Sequence, residues 1–248
     1  MSNQQINTLI ISDLHMGSKV ARAQECRRLI ESLKDKNNGY TIRRLILLGD
    51  VFDSLNPYWL NPEEWNFLGT LRQICSPDSG VEVIWIRGNH DLEILKVIPI
   101  ITGSPAYEQY QWQIGDKKYF AIHGDQFDKW VAKKYMLINQ LPDAVYIGLQ
   151  KIDGRKHHLS RFLKEKSKVF LHLNEKISAG TLKYLKDNQI KVDAFFCGHT
   201  HIPVKHYFES DKIWYYNTGC WTGEESPTYI TITEDNEIET HHYHSSIK

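Results

Sequence analysis

Hydrophobic and polar positions follow two rhythms along this chain. Continuous apolar runs at Thr8–Ser12, Leu45–Leu48, Val81–Ile86, Ala194–Cys197 and Ile213–Asn217 read as strands buried on both faces. Between the first two, Ala23, Cys26, Leu29, Ile30 and Leu33 recur at helical spacing, which predicts a helix over Val20–Lys34 ended by Asn37-Asn38-Gly39. Asn61-Pro62-Glu63-Glu64 places an N-cap, a proline at the first helical position and two acids at the positive end of the dipole, so a second helix runs from there to about Ile74. Gly115-Asp116 separates Tyr110–Ile114 from Lys117–Ile122, and Glu234-Asp235-Asn236 separates Tyr229–Thr233 from Ile238–Tyr243, so each pair reads as a hairpin. From 128 to 188 the strand rhythm stops, and helices are predicted at Trp130–Leu141, Ala144–Ile152, Leu159–Leu173 and Ile177–Leu185. Alternating strands and helices predict a layered α/β fold; the all-helical stretch is expected to be a cap inserted at 128–188 into a single domain spanning 1–248.

With 248 residues the chain is long enough for a large core. Its 30 basic and 30 acidic residues cancel, which argues against a general nucleic-acid binder. Cys26, Cys75, Cys197 and Cys220 form no Cys-x-x-Cys pair and are expected to be reduced core thiols. No signal-peptide pattern opens the chain, and no apolar stretch approaches the roughly 20 residues of a membrane span, so a cytoplasmic location is expected.

Candidate chemistry sits just past the strands. Ser12-Asp13-Leu14-His15, Gly49-Asp50-Val51-Phe52-Asp53, Gly88-Asn89-His90-Asp91, His123-Gly124-Asp125 and Gly198-His199-Thr200-His201 each follow an apolar run. Ligands bind at that carboxyl edge in open α/β sheets because loops from several strands converge there. Carboxylate, amide oxygen and imidazole without thiolate suit manganese, iron or zinc. Asp13 with His15, and His199 with His201, are spaced to bend toward one ion. Asp50 is the natural bridge, Asn89 adds a neutral oxygen, and His123 completes the set. Two ions about 3.5–4 Å apart can share one hydroxide, acidify it and aim it at phosphorus. His90 is the candidate acid for a leaving oxygen, since its ordinary pKa lies near 6.5. Asp53 is the candidate acceptor that fixes its tautomer.

The ordered series Asp-x-His, Gly-Asp-x-x-Asp, Gly-Asn-His-Asp, His, Gly-His-x-His resembles the calcineurin-like metallophosphoesterase superfamily from Asp13 to His201. The resemblance implies a two-sheet sandwich flanked by helices. It also implies one metal on Asp13, His15, Asp50 and His201, a second on Asp50, Asn89, His123 and His199, and catalysis by His90 supported by Asp53. Ile11 to His15, His123-Gly124-Asp125 with the insertion after it, Cys197 to Pro203, and Tyr216 to Trp221 are similar to the branch of UDP-2,3-diacylglucosamine pyrophosphohydrolases of lipid A biosynthesis. That branch resembles Gly-Asn-Arg-Asp where His90 stands, and tends to carry Arg where Ile202 stands. Expelling phosphate needs little proton assistance, whereas a poorer alkoxide needs an acid. His90 therefore keeps phosphomonoesters and phosphodiesters open as substrates.

The expected function is hydrolysis of a small phosphorylated, acylated substrate by a pair of divalent ions, manganese first among them, giving UMP and an acylated sugar 1-phosphate. The alternatives are a phosphodiesterase or phosphatase for another small molecule or nucleic acid, or a non-catalytic scaffold of the same fold. Nucleic acid is the less expected partner, and no obligate protein partner is indicated. Seven basic against two acidic residues from Lys151 to Lys168 mark either a solvated helix face or a contact for an anionic membrane. Asp91 and Asp125 read as turn or supporting residues. His172, His206, His241, His242 and His244 read as surface positions.

Overall fold

The computed structural model describes residues 5–35, 39–53, 60–92, 95–103, 105–128, 167–223 and 226–244. Strands β1 (Ile6–Ile11), β4 (Arg44–Leu48) and β5 (Glu82–Ile86) run parallel in one sheet, with β5 at its edge. β11 (Thr228–Thr233) and β12 (Ile238–His242) continue that sheet antiparallel on the far side of β1. The second sheet has the order β6 (Gln109–Ile114), β7 (Lys117–Ile122), β8 (Ala194–Cys197), β10 (Ile213–Asn217), β9 (Val204–Phe208). Its three inner strands are parallel and its two outer ones antiparallel. This is the expected two-sheet sandwich.

Each sheet is covered on both faces, which is why its central strands read as unbroken apolar runs. Ile10, Ile46, Ile84 and Ile86 meet Trp112, Tyr119, Phe196 and Tyr216 between the sheets. Leu9, Ile11, Leu45, Leu47 and Trp85 face outward onto α1 (Ala23–Ser32) and α2 (Pro62–Ile74). Phe120, Ile122, Phe195 and Tyr215 face the other way onto Ile177, Leu182 and Leu185. Those last three lie on one helix, Ser167–Asp187, labelled α4, with the short helix α3 at Ile98–Thr102.

The differences from expectation have local causes. Ile177–Leu185 is the second half of α4 rather than a separate helix, because polar Asn174 is buried and accepts a hydrogen bond from Tyr215 Oη at 2.8 Å. The predicted helices Trp130–Leu141 and Ala144–Ile152, the first part of Leu159–Leu173, and the basic stretch lie outside the described residues. A two-residue hairpin, β2 (Lys34–Asp35) with β3 (Gly39–Tyr40), follows α1. Among the described residues, no helix is long and apolar enough to cross a membrane. None of the four cysteines is in a disulfide; Cys26 and Cys197 are buried, but Cys75 and Cys220 are only half-buried.

The start of α2 does more than begin a helix. Asn61 Oδ1 accepts from the amides of Glu63 at 2.9 Å and Glu64 at 3.1 Å, and Glu64 Oε2 returns the contact to Asn61 N at 2.7 Å. The other Glu64 oxygen accepts from Gly17 N at 2.7 Å, although the residue is only 1% exposed. The cap thus also ties down the loop carrying Asp13 and His15. Glu64→Ala strands two partly buried donors and should lower unfolding stability by about 1–3 kcal/mol. Urea titration checks this, and a loss under about 1 kcal/mol would show that the tie contributes little.

Candidate metal centre

The loops after β1 and β4 leave side by side. Asp13 N donates to Gly49 O at 3.0 Å, His15 N to Asp50 O at 3.0 Å, and Met16 N to Val51 O at 2.9 Å. Both turn sharply: φ is 53° at Asp13, 46° at His15 and 51° at Asp50, and the final motif repeats this with 67° at His199 and 62° at His201. Left-handed backbone costs an L-residue roughly 1–2 kcal/mol. Five such residues among the seven candidate ligands mark a place where the fold sustains strain to aim side chains. The glycines of the motifs serve close approach. A Cβ on Gly49 would lie 2.3 Å from His123 Nδ1, and one on Gly88 would lie 2.2 Å from Asp50 Oδ1.

The side chains converge in adjacent groups that could each hold an ion. Asp13, His15 and His201 form the first, Asp50, His123 and His199 the second, and His15 is shared with a third formed by Asp53 and His90. His201 Nε2 stands 3.1 Å from Asp13 Oδ1 and 3.1 Å from His15 Nε2. Asp50 Oδ2 lies 3.3 Å from His123 Nε2 and 4.0 Å from His15 Nε2, so one oxygen looks into the first two groups. The other, Oδ1, accepts from His90 N at 2.8 Å. Asn89 follows Gly88, whose Cα packs on that carboxylate, which brings it to the same place through the backbone.

The donor set fits a divalent cation on a specific observation. Asp13 Oδ1 and His123 Nε2 are buried and make no hydrogen bond among the described residues, despite polar atoms 3.1 and 3.3 Å away. Atoms that close and not bonded to one another point at a common spot. Their opposite sides are held. Ser12 Oγ at 2.5 Å and His199 N at 3.0 Å donate to Asp13 Oδ2. His123 Nδ1 donates to Leu48 O at 2.8 Å, and His15 Nδ1 faces Asp53 Oδ1 at 3.2 Å. Each fixes the tautomer that leaves Nε2 to face the cluster.

The carboxylates also set the charge. Burial works against ionising Asp50 and Asp13, yet His123 and His201 respectively hold them below the usual carboxylate range, Asp50 well below. Burial likewise opposes protonation of His123, but Asp50 raises its pKa to about 10. For His15, burial prevails and its pKa falls. The second group therefore favours a positive charge, which a cation can supply in place of the proton.

His90 has the most open imidazole of those ranged around Asp50, with 38% of its side chain exposed. Partial burial resists its protonation, but Asp50 and then Asp53 raise its pKa above the ordinary value. Its expected partnership with Asp53 takes another form. Nδ1 donates to the Asp53 main-chain oxygen at 2.9 Å, while the Asp53 carboxylate lies 3.8 Å away and nearer His15.

Asp128, absent from the expected set, places Oδ2 3.2 Å from His199 Nε2. The signal for it was an acid three residues after Asp125, the spacing that separates Asp53 from Asp50. Cys220 is half-buried instead of sitting in the core, and its Sγ accepts from Thr222 Oγ1 at 3.4 Å. Asp125 accepts from Arg87 Nη1 at 3.4 Å. His172 pairs with Glu175 on the surface, His206 is exposed on β9, and His241 is tied to Thr231 Oγ1 at 2.7 Å rather than solvated.

A two-sheet sandwich whose strand-end loops bring two acid–imidazole groups together is the build of a phosphoester hydrolase that uses metal ions. A model of the calcineurin-like phosphoesterase family matches residues 6–203, and the chain belongs to that family. It is similar to the UDP-2,3-diacylglucosamine hydrolase of Vibrio vulnificus (strain YJ016), at 24% identity over 232 residues, 84% of this chain and 86% of that protein. Among solved structures, an archaeal phosphodiesterase is 17% identical, with a TM-score of 0.50 over 95% of this chain and 98% of that one. A hypothetical protein of Pyrococcus horikoshii OT3 is 12% identical, with a TM-score of 0.51 over 96% and 88% of the two chains. These two show the shared fold.

Proposed function

We propose that this phosphoesterase works with two divalent ions, manganese the expected metal, one on Asp13, His15, Asp50 and His201 and the other on Asp50, Asn89, His123 and His199. Its favoured substrate is UDP-2,3-diacylglucosamine or a related nucleotide-linked pyrophosphate. The observation that carries the reading is Asp50 Oδ2, which faces His15 and His123 at once. When bound, the ions supply activation of water and neutralisation of the phosphoryl oxygens. The chain's own residues do the rest: the left-handed turns aim the donors, Leu48 O and Asp53 hold the imidazoles, and His90 delivers a proton to the leaving oxygen. The similarity to the Vibrio hydrolase supports the substrate; the Lys151–Lys168 stretch supports contact with an anionic membrane surface, where such a substrate would lie. A second reading, phosphodiester hydrolysis, is favoured by His90 itself, which is of most use against a poor leaving group.

Protein freed of metal and reloaded with manganese is to be assayed against UDP-2,3-diacylglucosamine, a bis-aryl phosphate and an aryl monophosphate. Turnover of the lipid-linked nucleotide well above the others is expected. Cleavage of the simple esters alone would overturn the substrate and leave the class standing. In the same assay His90→Ala should keep both ions, as read by elemental analysis. It should slow turnover by about 10²–10⁴-fold for poor leaving groups and less for good ones. Equal slowing across leaving groups would rule out the acid role.

A further inference from the structure

The two sheets are joined along one flank and parted along the other. Where β5 meets β6, Ile86 bridges to Tyr107 and Arg87 N donates to Tyr107 O at 2.9 Å. On the opposite flank the edge strands β9 and β12 belong to different sheets and do not pair. A cleft of about 520 Å³ lies between them, lined by Lys205, Glu239, Thr240 and His242 among others. It shares Pro203 and His242 with a second cleft of about 280 Å³, whose inner end is His201 and Cys220. One groove therefore leads from the first donor group out along the open flank.

Its chemistry is mixed, with Lys205 and Glu239 in the outer lining and mainly apolar surface within, which suits a ligand joining an anionic group to an aromatic part. The inner part is mainly apolar and carries Thr222 and Ser226, while the Thr228 hydroxyl is donated to Thr218 O at 2.6 Å. The outer part offers the Lys205 ammonium, 4.7 Å from the ring centre of Trp214 and 5.6 Å from that of Tyr216. Among the described residues Lys205 pairs with no carboxylate, and Trp214 is 37% exposed. A cation held over aromatic rings without a counter-ion suits a phosphate or the π face of a base. Lys205 is four residues beyond His201 and so at most about 14 Å from it along the backbone, roughly the reach of a nucleotide.

Direction also matters. Asp128 abuts His199 in the second group. The groove departs from His201 in the first. A phosphorus held between the groups has a substituent available to each side.

We propose that the groove between β9 and β12 is the binding site for the nucleotide half of a doubly substituted phosphoester, with Lys205 at its far end. This rests on the phosphoesterase reading above and adds to it where the non-reacting half of the substrate sits. The site favours substrates that carry a nucleoside beside the leaving group over esters whose only substituent is the leaving group.

The test compares wild type with Lys205→Glu, which reverses the charge, and Thr240→Trp, which fills the groove from an edge strand. Substrates are the p-nitrophenyl ester of thymidine 5′-monophosphate and bis-p-nitrophenyl phosphate. Each variant should raise KM for the nucleotide ester about ten-fold more than for the small diester, as loss of a charged contact would. The ratio of the two kcat values should hold. Equal changes for both substrates overturn the groove. If wild type cleaves neither ester, the phosphoesterase reading is what fails. The groove is then decided by calorimetric titration with UMP, where weakening of about ten-fold in Lys205→Glu supports it. Absence of UMP binding to wild type at millimolar concentration, or equal binding by both proteins, overturns it.

Discussion

Asp50→Asn is expected to empty both halves of the metal centre in one step, lowering bound manganese from two ions per chain toward none. It should also lower kcat/KM by more than about 10³-fold. Removing a residue that merely supports a ligand costs roughly 10–100-fold in metal affinity, and Asp50 would itself be the ligand to both ions. Asparagine is the informative replacement. It tolerates the left-handed backbone that Asp50 adopts at φ 51°, and it keeps an oxygen to accept from His90 N. Alanine would add backbone strain and blur the result. The paired control is Asp13→Asn, which touches only the first group and should release one ion. Equilibrium dialysis with elemental analysis separates these outcomes. If Asp50→Asn retains one tightly held ion, Asp50 serves a single group and the shared-ligand reading falls.

The sequence carried these candidate ligands legibly because their position is a property of topology. Strands covered on both faces must be apolar throughout, so β1, β4 and β8 announced themselves, and the loop leaving each parallel strand lies at the sheet edge where its neighbours' loops also emerge. β9 was harder to see. It is an edge strand bonded only to β10, with Lys205 and His206 exposed, so its sequence shows no buried run. The gap expected between Leu173 and Ile177 falls on the polar residues Asn174-Glu175-Lys176. Only the folded chain shows Asn174 turned inward to Tyr215, within a chain of contacts that continues from Asn217 Nδ2 to Gly198 O at 2.7 Å. The partners of the imidazoles were beyond reach for a related reason. Leu48 O and Asp53 O are main-chain atoms, and no residue type marks a carbonyl as a ligand's support. That the Asp53 carboxylate turns to His15 rather than His90 is settled by loop geometry, not by spacing.

Asp91→Leu should cost more stability than any other single change outside the donor set, about 3–5 kcal/mol, against the 5–15 kcal/mol by which domains are usually stable. Asp91 is fully buried, and four donors meet its carboxylate. Val51 N at 3.2 Å and Phe52 N at 3.3 Å reach one oxygen, while Gly88 N at 3.0 Å and Trp85 Nε1 at 3.4 Å reach the other. Burial, and then the charge of Asp50, push its pKa up to about 6, so near pH 7.5 it is still ionised and acts only as an acceptor. The residue thereby fastens the Asp50 loop to the Gly88-Asn89-His90 loop. Leucine fills the space but leaves all four buried donors unmatched, whereas Asp91→Asn keeps one oxygen and offers an amide to donors that need an acceptor. The expected order of loss is therefore leucine above asparagine, read by urea unfolding of the metal-free protein so that ion binding does not mask it. Adding manganese should then recover part of the lost stability in Asp91→Asn, because the ions bind only when the two loops are together. A leucine variant as stable as wild type would mean that the loops hold their places without this clamp.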